Sequence, residues 1–230
     1  MATYRAIKGW TIQTVSSDPP SPVTGQVWYN STLGKLKGFK EGAANWATGG
    51  NLNTARSHIR GAGTQTAGLG FAGGSGEKDE NESYDGSSWT ELADLSTGRS
   101  GAGGCGATQT AALCVGGSQP GSPDLRAIAE TWNGTSWTEV GDINTARKSL
   151  AAAGTVTSAI AFGGSNDTDD TETWDGSSWT ETTDMNTARS DLTGFGTSSS
   201  ALAAAGRPPT TGATEEWTGA GTTAASVTSS

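Results

Sequence analysis

One six-residue phrase returns four times along the chain, as Asn51-Leu-Asn-Thr-Ala-Arg56, Asp94-Leu-Ser-Thr-Gly-Arg99, Asp142-Ile-Asn-Thr-Ala-Arg147 and Asp184-Met-Asn-Thr-Ala-Arg189. Its arginines are 43, 48 and 42 residues apart, and Trp46, Trp89, Trp137 and Trp179 keep the same three steps. Between each arginine and the following tryptophan fall a glycine pair (Gly73-Gly74, Gly116-Gly117, Gly163-Gly164, then Gly206-Arg207) and an aromatic residue (Tyr84, Trp132, Trp174, Trp217). Four landmarks in phase define a structural repeat. A unit of this length is one supersecondary motif, which buries its apolar face by stacking on its neighbours.

The local chemistry of the unit is β. In the first three units the aromatic precedes the tryptophan by five residues, across Asp85-Gly-Ser-Ser, Asn133-Gly-Thr-Ser and Asp175-Gly-Ser-Ser. Asp-Gly and Asn-Gly suit tight hairpin turns because such turns need positive φ. Each unit therefore reads as four short strands: a after the arginine, b ending at the glycine pair, c at the aromatic and d at the tryptophan. Strands a and b turn near Thr64-Gln65-Thr66, Thr108-Gln109-Thr110 and Thr155-Val156-Thr157. They are rich in Ala, Gly and Leu, as expected of strands buried on both faces. Gly accounts for 35 of 230 residues with only 7 Pro, about twice the ordinary share of ~7%, so the glycine serves a fold that needs bare backbone.

The order Arg, Gly-Gly, aromatic, Trp, over about residues 46–220, resembles the kelch repeat. That resemblance implies an all-β, kelch-like β-propeller of four small blades. The fourth unit departs from the pattern, with Gly206-Arg207 in place of the glycine pair and no tryptophan strand after Trp217. The expected solution is that Trp46 supplies strand d to the blade running from Arg189 to Trp217, closing the ring and leaving no open edge. The alternative is donation of that strand between chains of an oligomer.

Ahead of the repeats lie a proline cluster, Pro19-Pro-Ser-Pro22, and the segment Gly25-Gln-Val-Trp-Tyr-Asn-Ser-Thr32, expected to form a hairpin turning at about Ser31 to Gly34. This segment resembles the N-terminal hairpin of bacteriophage tail-fibre and other virion proteins. Together with Asn53-Thr-Ala-Arg56, Gly61-Ala-Gly-Thr-Gln-Thr-Ala67 and Glu215-Glu-Trp-Thr-Gly-Ala-Gly221, the chain is similar to kelch-like structural proteins of marine bacteriophages. The resemblance implies a virion component, tail-associated, assembled in a host cytoplasm and oligomeric in the particle. Three parts are expected: a docking hairpin over 1–45 that contacts other virion proteins, a propeller over 46–221 and a tail over 222–230.

Charge and composition exclude several classes. The formal charge is −9, against the basic field a general nucleic-acid binder needs. It is unevenly spread: residues 1–50 carry five cations against two carboxylates, a net +3, and the rest carries nine against twenty-one, −12. The longest apolar runs, such as Ala159-Ile-Ala-Phe162, are far below the ~20 residues of a membrane-spanning helix. Residues 1–17 lack the charged start, apolar region and cleavage site of a signal peptide. No catalytic, metal or cofactor site is expected. His58 is the single histidine, which removes the usual triad and zinc ligand sets. Cys105 and Cys114 read as small buried thiols on adjacent strands, with a cross-strand disulfide disfavoured in a reducing compartment.

The repeated arginines read as scaffold, satisfying backbone groups with the Asp five residues earlier (Asp94, Asp142, Asp184). The b-to-c connections differ most between units, at 75–83, 118–130, 165–173 and 208–214, which marks positions the scaffold does not dictate. Their charged residues Glu77, Asp79, Glu80, Asp124, Arg126, Asp167, Asp169 and Asp170 are the candidate recognition residues for a host-surface glycan or protein. The competing reading treats the loops as tolerated insertions on a purely structural tail, neck or capsid decoration. A glycan-cleaving enzyme would need paired carboxylates in a pocket, and nothing in these loops pairs them.

Overall fold

A computed structural model describes residues 12–39, 46–74, 78–119, 124–166 and 168–219. The described chain is all-β, with no helix and five separate small sheets. It divides into two compact units, Met1–Thr48 and Gly49–Ser230.

The first unit holds β1 (Gln13–Val15), β2 (Val27–Asn30) and β3 (Lys35–Gly38). β2 and β3 form the expected hairpin, with Tyr29 opposite Leu36 and a turn over 31–34. β1 adds a third strand, parallel to β2, with Gln13 opposite Trp28. The proline cluster spans the β1–β2 connection. Asp18 ties the sheet from within that connection, accepting from Trp28 Nε1 at 3.0 Å and Asn30 Nδ2 at 2.9 Å and pairing with Lys37 at 2.5 Å.

The second unit contains four repeat sheets. The first consists of β4 (Arg60–Thr64), β5 (Ala67–Phe71), β6 (Asn81–Tyr84) and β7 (Trp89–Glu91). The second consists of β8 (Gly103–Thr108), β9 (Ala111–Val115), β10 (Ala129–Trp132) and β11 (Trp137–Val140). The third consists of β12 (Ala151–Thr155), β13 (Ser158–Phe162), β14 (Thr171–Trp174) and β15 (Trp179–Glu181). The fourth stops at three strands, β16 (Thr193–Thr197), β17 (Ser200–Ala204) and β18 (Thr214–Thr218). All four are antiparallel meanders in sequence order. The a-to-d reading of the unit is therefore observed three times in full and once without d.

The first strands of the sheets stack in series, β4 on β8, β8 on β12 and β12 on β16. No comparable packing returns from β16 to β4 among the described residues. The hairpin of strands a and b requires bare backbone. At Gly154, where φ is +114°, an added Cβ would stand 2.4 Å from Ser158 O, and Gly63, Gly106 and Gly196 occupy the same position with positive φ.

The cores form at the junctions between sheets. Trp137 of β11 packs on Trp132 of its own sheet, with ring centroids 5.6 Å apart, and on Phe71 of the preceding sheet at 5.0 Å. Trp174 and Trp179 make the same pair at 5.4 Å, in a cluster with Leu113 and Val115 of the sheet before. A strand-d tryptophan therefore belongs to two sheets at once, and burying such a side chain contributes about 1.5–3 kcal/mol.

Two sequence readings need correction. Among the described residues the expected closing strand at Trp46 is not seen: Trp46 lies in no strand and is exposed, and the described fourth sheet ends at β18. The glycine pair was displaced by one residue in two units. The equivalent positions after strand b are Ala72-Gly73, Gly116-Gly117, Gly163-Gly164 and Ala205-Gly206, with φ of 54–64° at the first residue and 102–134° at the second. Alanine is accepted at the first, a left-handed position, whereas the second is glycine every time. The displacement arose because β8 carries a bulge between Cys105 and Thr108, which adds one residue to the second unit and draws the alignment out of register.

Candidate functional site

Each repeat arginine ends in an ion pair with a glutamate two residues before the strand-c aromatic, in all four units. The pairs are Arg56 with Glu82, Arg99 with Glu130 at 3.1 Å, Arg147 with Glu172 at 2.5 Å and Arg189 with Glu215 at 3.1 Å. The scaffold role expected of the arginine and the aspartate of the phrase, satisfying backbone groups, is seen at Asp184, which accepts the Thr171 N–H at 3.2 Å; the glutamate partners were not anticipated. Partial burial and the charge of Asp79 push the Asp94 carboxyl up. The missed signal was legible as a glutamate at one fixed position in all four units.

The pair fastens three elements. In the third sheet Arg147 donates to Gly163 O at 3.1 Å and Thr145 O at 3.1 Å, while Glu172 accepts from the backbone N–H and side-chain amide of Asn144 at 2.7 and 2.8 Å. The Asn144 amide also donates to Trp179 O in strand d at 3.3 Å. Asn53 repeats this bridge in the first sheet, to Glu82 at 3.0 Å and Trp89 O at 3.1 Å. Burial alone would raise the Glu82 carboxyl, but the Asn53 amide and Arg56 outweigh it and hold it below its ordinary value. Charges buried and satisfied in this way specify architecture; they offer no free group to a ligand.

The b-to-c loops run at the same end of the sheets as these pairs. Their backbones are anchored to the next repeat phrase: Asp79 O accepts from Leu95 at 2.9 Å, Ala127 O from Ile143 at 3.0 Å and Asp169 O from Met185 at 3.0 Å. The loops are thus clamps between successive units as well as variable segments. Of the candidate recognition residues, Asp79 and Asp124 are exposed, and Arg126, Asp169 and Asp170 are half-buried. Glu80 pairs with Lys78 at 2.9 Å, and Arg126 hydrogen-bonds Gln119. Glu77 and Asp167 lie outside the described residues, as do 120–123 of the longest loop and the tail over 222–230. Among the described residues the loop carboxylates do not converge in groups of three or more.

No protein-family model matches the chain, and no curated protein sequence is similar to it.

Cys105 and Cys114 are free, buried thiols. Cys105 of β8 lies opposite Leu113, and Cys114 of β9 lies opposite Gly104, so the two thiols sit at neighbouring rungs of the ladder and pack in different clusters. Burial pushes the Cys105 thiol up to about 12. His58 takes a left-handed conformation at the turn before β4, as do Gly101, Ser149 and Asp191 in the other units; its counterparts show the position to be one of backbone geometry.

A small pocket is bounded by all four first strands, through Arg60, Gly104, Ala151 and Gly194. Arg60, which sequence reading did not single out, lines this pocket and donates to Ala102 O. A second pocket, in the fourth sheet, is lined by Ile160, Phe162, Met185, Ala203, Glu215 and Trp217 among others.

Proposed function

We propose that this chain is a tail-associated bacteriophage virion protein, docked to other virion proteins through its N-terminal sheet and presenting four kelch-like blades whose b-to-c loops meet the host surface. The observation that carries this reading is the division of labour along the chain. The hairpin of β2 and β3 exposes Val27, Tyr29, Leu33 and Leu36 at 46, 39, 54 and 62%, while Trp28 and Asn30, which alternate with them, are buried. Clustered apolar exposure on a small sheet marks an interaction surface, and the basic balance of residues 1–50 supports an acidic partner.

The repeat sheets support the display half of the reading. Successive stacking of first strands, a pocket bounded by all four of them and tryptophans shared between neighbouring sheets suit propeller blades. The loops that vary between units emerge together from a frame fixed by buried ion pairs, which is how a rigid scaffold presents a recognition surface. No nucleic acid, membrane insertion, cofactor or catalytic chemistry enters the proposal.

Binding of the fluorescently labelled chain to candidate host cells tests it, beside a chain whose 118–130 loop is replaced by the shorter loop of the third unit. Saturable binding lost on loop exchange is expected. Absence of binding by both would favour the purely structural reading, a tail, neck or capsid decoration without a host ligand, for which the unpaired edge of β18 is the specific supporting observation.

A further inference from the structure

The pocket in the fourth sheet lies where every complete sheet keeps its strand-d tryptophan. In the second sheet Trp137 rests against Phe71 of the preceding sheet, Trp132 of strand c and the cluster containing Cys114 and Leu95. The residues at the same repeat positions in the fourth sheet are Phe162, Trp217, Ala203 and Met185, and all four line the pocket. It encloses about 390 Å³ counting its open mouth.

The polar groups around it are also left over. The Arg189 side chain is buried, yet beyond its ion pair none of its three nitrogens has a hydrogen-bond partner, unlike those of Arg56 and Arg147. Glu215 is 17% exposed where its counterparts are 0–1%. Asn186 donates its backbone N–H to Glu215 at 2.6 Å, but among the described residues no strand-d carbonyl in its sheet meets its amide as Trp89 O and Trp179 O meet Asn53 and Asn144. Trp217 is half-buried on an edge left unpaired among the described residues.

The chain carries one tryptophan suited to this place. Trp46 precedes Asn53 by seven residues, the spacing that joins Trp89 to Ser96, Trp137 to Asn144 and Trp179 to Asn186. The segment after it runs as an inter-sheet linker does: Gly50 approaches Ser87 O of the first sheet as Gly141 approaches Ser177 O of the third. Yet Trp46 is fully exposed and unpaired. An exposed donor and a preformed acceptor within one chain, neither occupied, are the arrangement of strand exchange between identical chains.

We propose that the segment around Trp46 of a second copy adds as the fourth strand beside β18, its indole filling the pocket over Ala203 and Trp217 and its tryptophan carbonyl accepting from Asn186. Two chains exchanging this strand reciprocally make a dimer with two such junctions. The inference does not depend on the virion reading.

The test uses the full chain and two variants, Trp46→Ala, which lacks the donor, and Ala203→Phe, which fills the acceptor. Light scattering is expected to give a dimer for the wild type and a monomer for each variant alone. Mixing the two variants restores a dimer held by one junction, because the pocket of one chain receives the strand of the other. Asn186→Ala, an exposed position, weakens dimerisation about tenfold without unfolding the chain, and it serves as the acceptor variant if Ala203→Phe does not fold. A monomeric wild type at high concentration overturns the proposal. So does a monomer whose melting falls on Trp46→Ala, which is the signature of the strand closing its own chain. A wild-type dimer that persists in Trp46→Ala overturns it as well.

Discussion

Each repeat arginine is a cation taken out of water, and such a group is tolerated only where its partner and hydrogen bonds remain in place. Removing one side strands the other. Arg147→Met leaves Glu172 buried and uncompensated and is expected to cost about 3–5 kcal/mol, read as a lower urea midpoint with an unchanged slope. Arg189→Met differs, because its nitrogens make no hydrogen bonds and Glu215 reaches solvent; a loss of about 1 kcal/mol or less is expected in dilute protein. Equal losses at both positions would contradict the view that the fourth pair is incompletely enclosed. At this scale the sequence showed the arginine and concealed its partner. The paired glutamate is 25–31 residues further on and is brought close only by pairing of strands b and c.

Among elements, the hairpin turns were the most legible part of the fold, since Asp-Gly and Asn-Gly carry their own backbone requirement. The Asp175 carboxylate accepts from the side chain of Ser177 at 2.7 Å and the backbone of Ser178 and Ser177 at 2.8 Å, which hold it down at about 2. Asp85 does the same, held at about 2 by Ser88 and Ser87. A folded value below the ordinary 3.8 means that the turn gains stability above that ordinary value and loses it as pH falls towards the folded one. Carboxyl titration by NMR is expected to find Asp175 ionised down to about pH 2, and Asp175→Asn to flatten the acid dependence, as Asn133 makes the equivalent contacts without a charge. An Asp175 midpoint near 3.8 would contradict the turn geometry. The β8 bulge was not legible: one extra residue in a Gly-rich strand leaves no mark, and it displaced the glycine register. β1 was also missed, because three residues pairing parallel to β2 carry no turn signal.

For the whole molecule, four-fold repetition was plain in the sequence, and the number of sheets and their strand order followed from it. The destination of Trp46 could not be read, because spacing places the strand after one sheet and before another without saying to which chain that sheet belongs. The candidate recognition residues were legible only as variability. Their backbones prove to be clamps between units, so on the proposed host-binding reading, exchanging the 118–130 loop is expected to remove binding while the other clamps, at Asp79 and Asp169, remain. The account turns on the fourth sheet being an unfinished copy of the other three. Hydrogen exchange along β18, followed as protein concentration rises, tests this most directly. The account predicts that outward-facing amides within Glu215–Thr218 become slowly exchanging at high concentration in the wild type and stay fast in Trp46→Ala. Fast exchange at every concentration, or protection unchanged by the substitution, would contradict it.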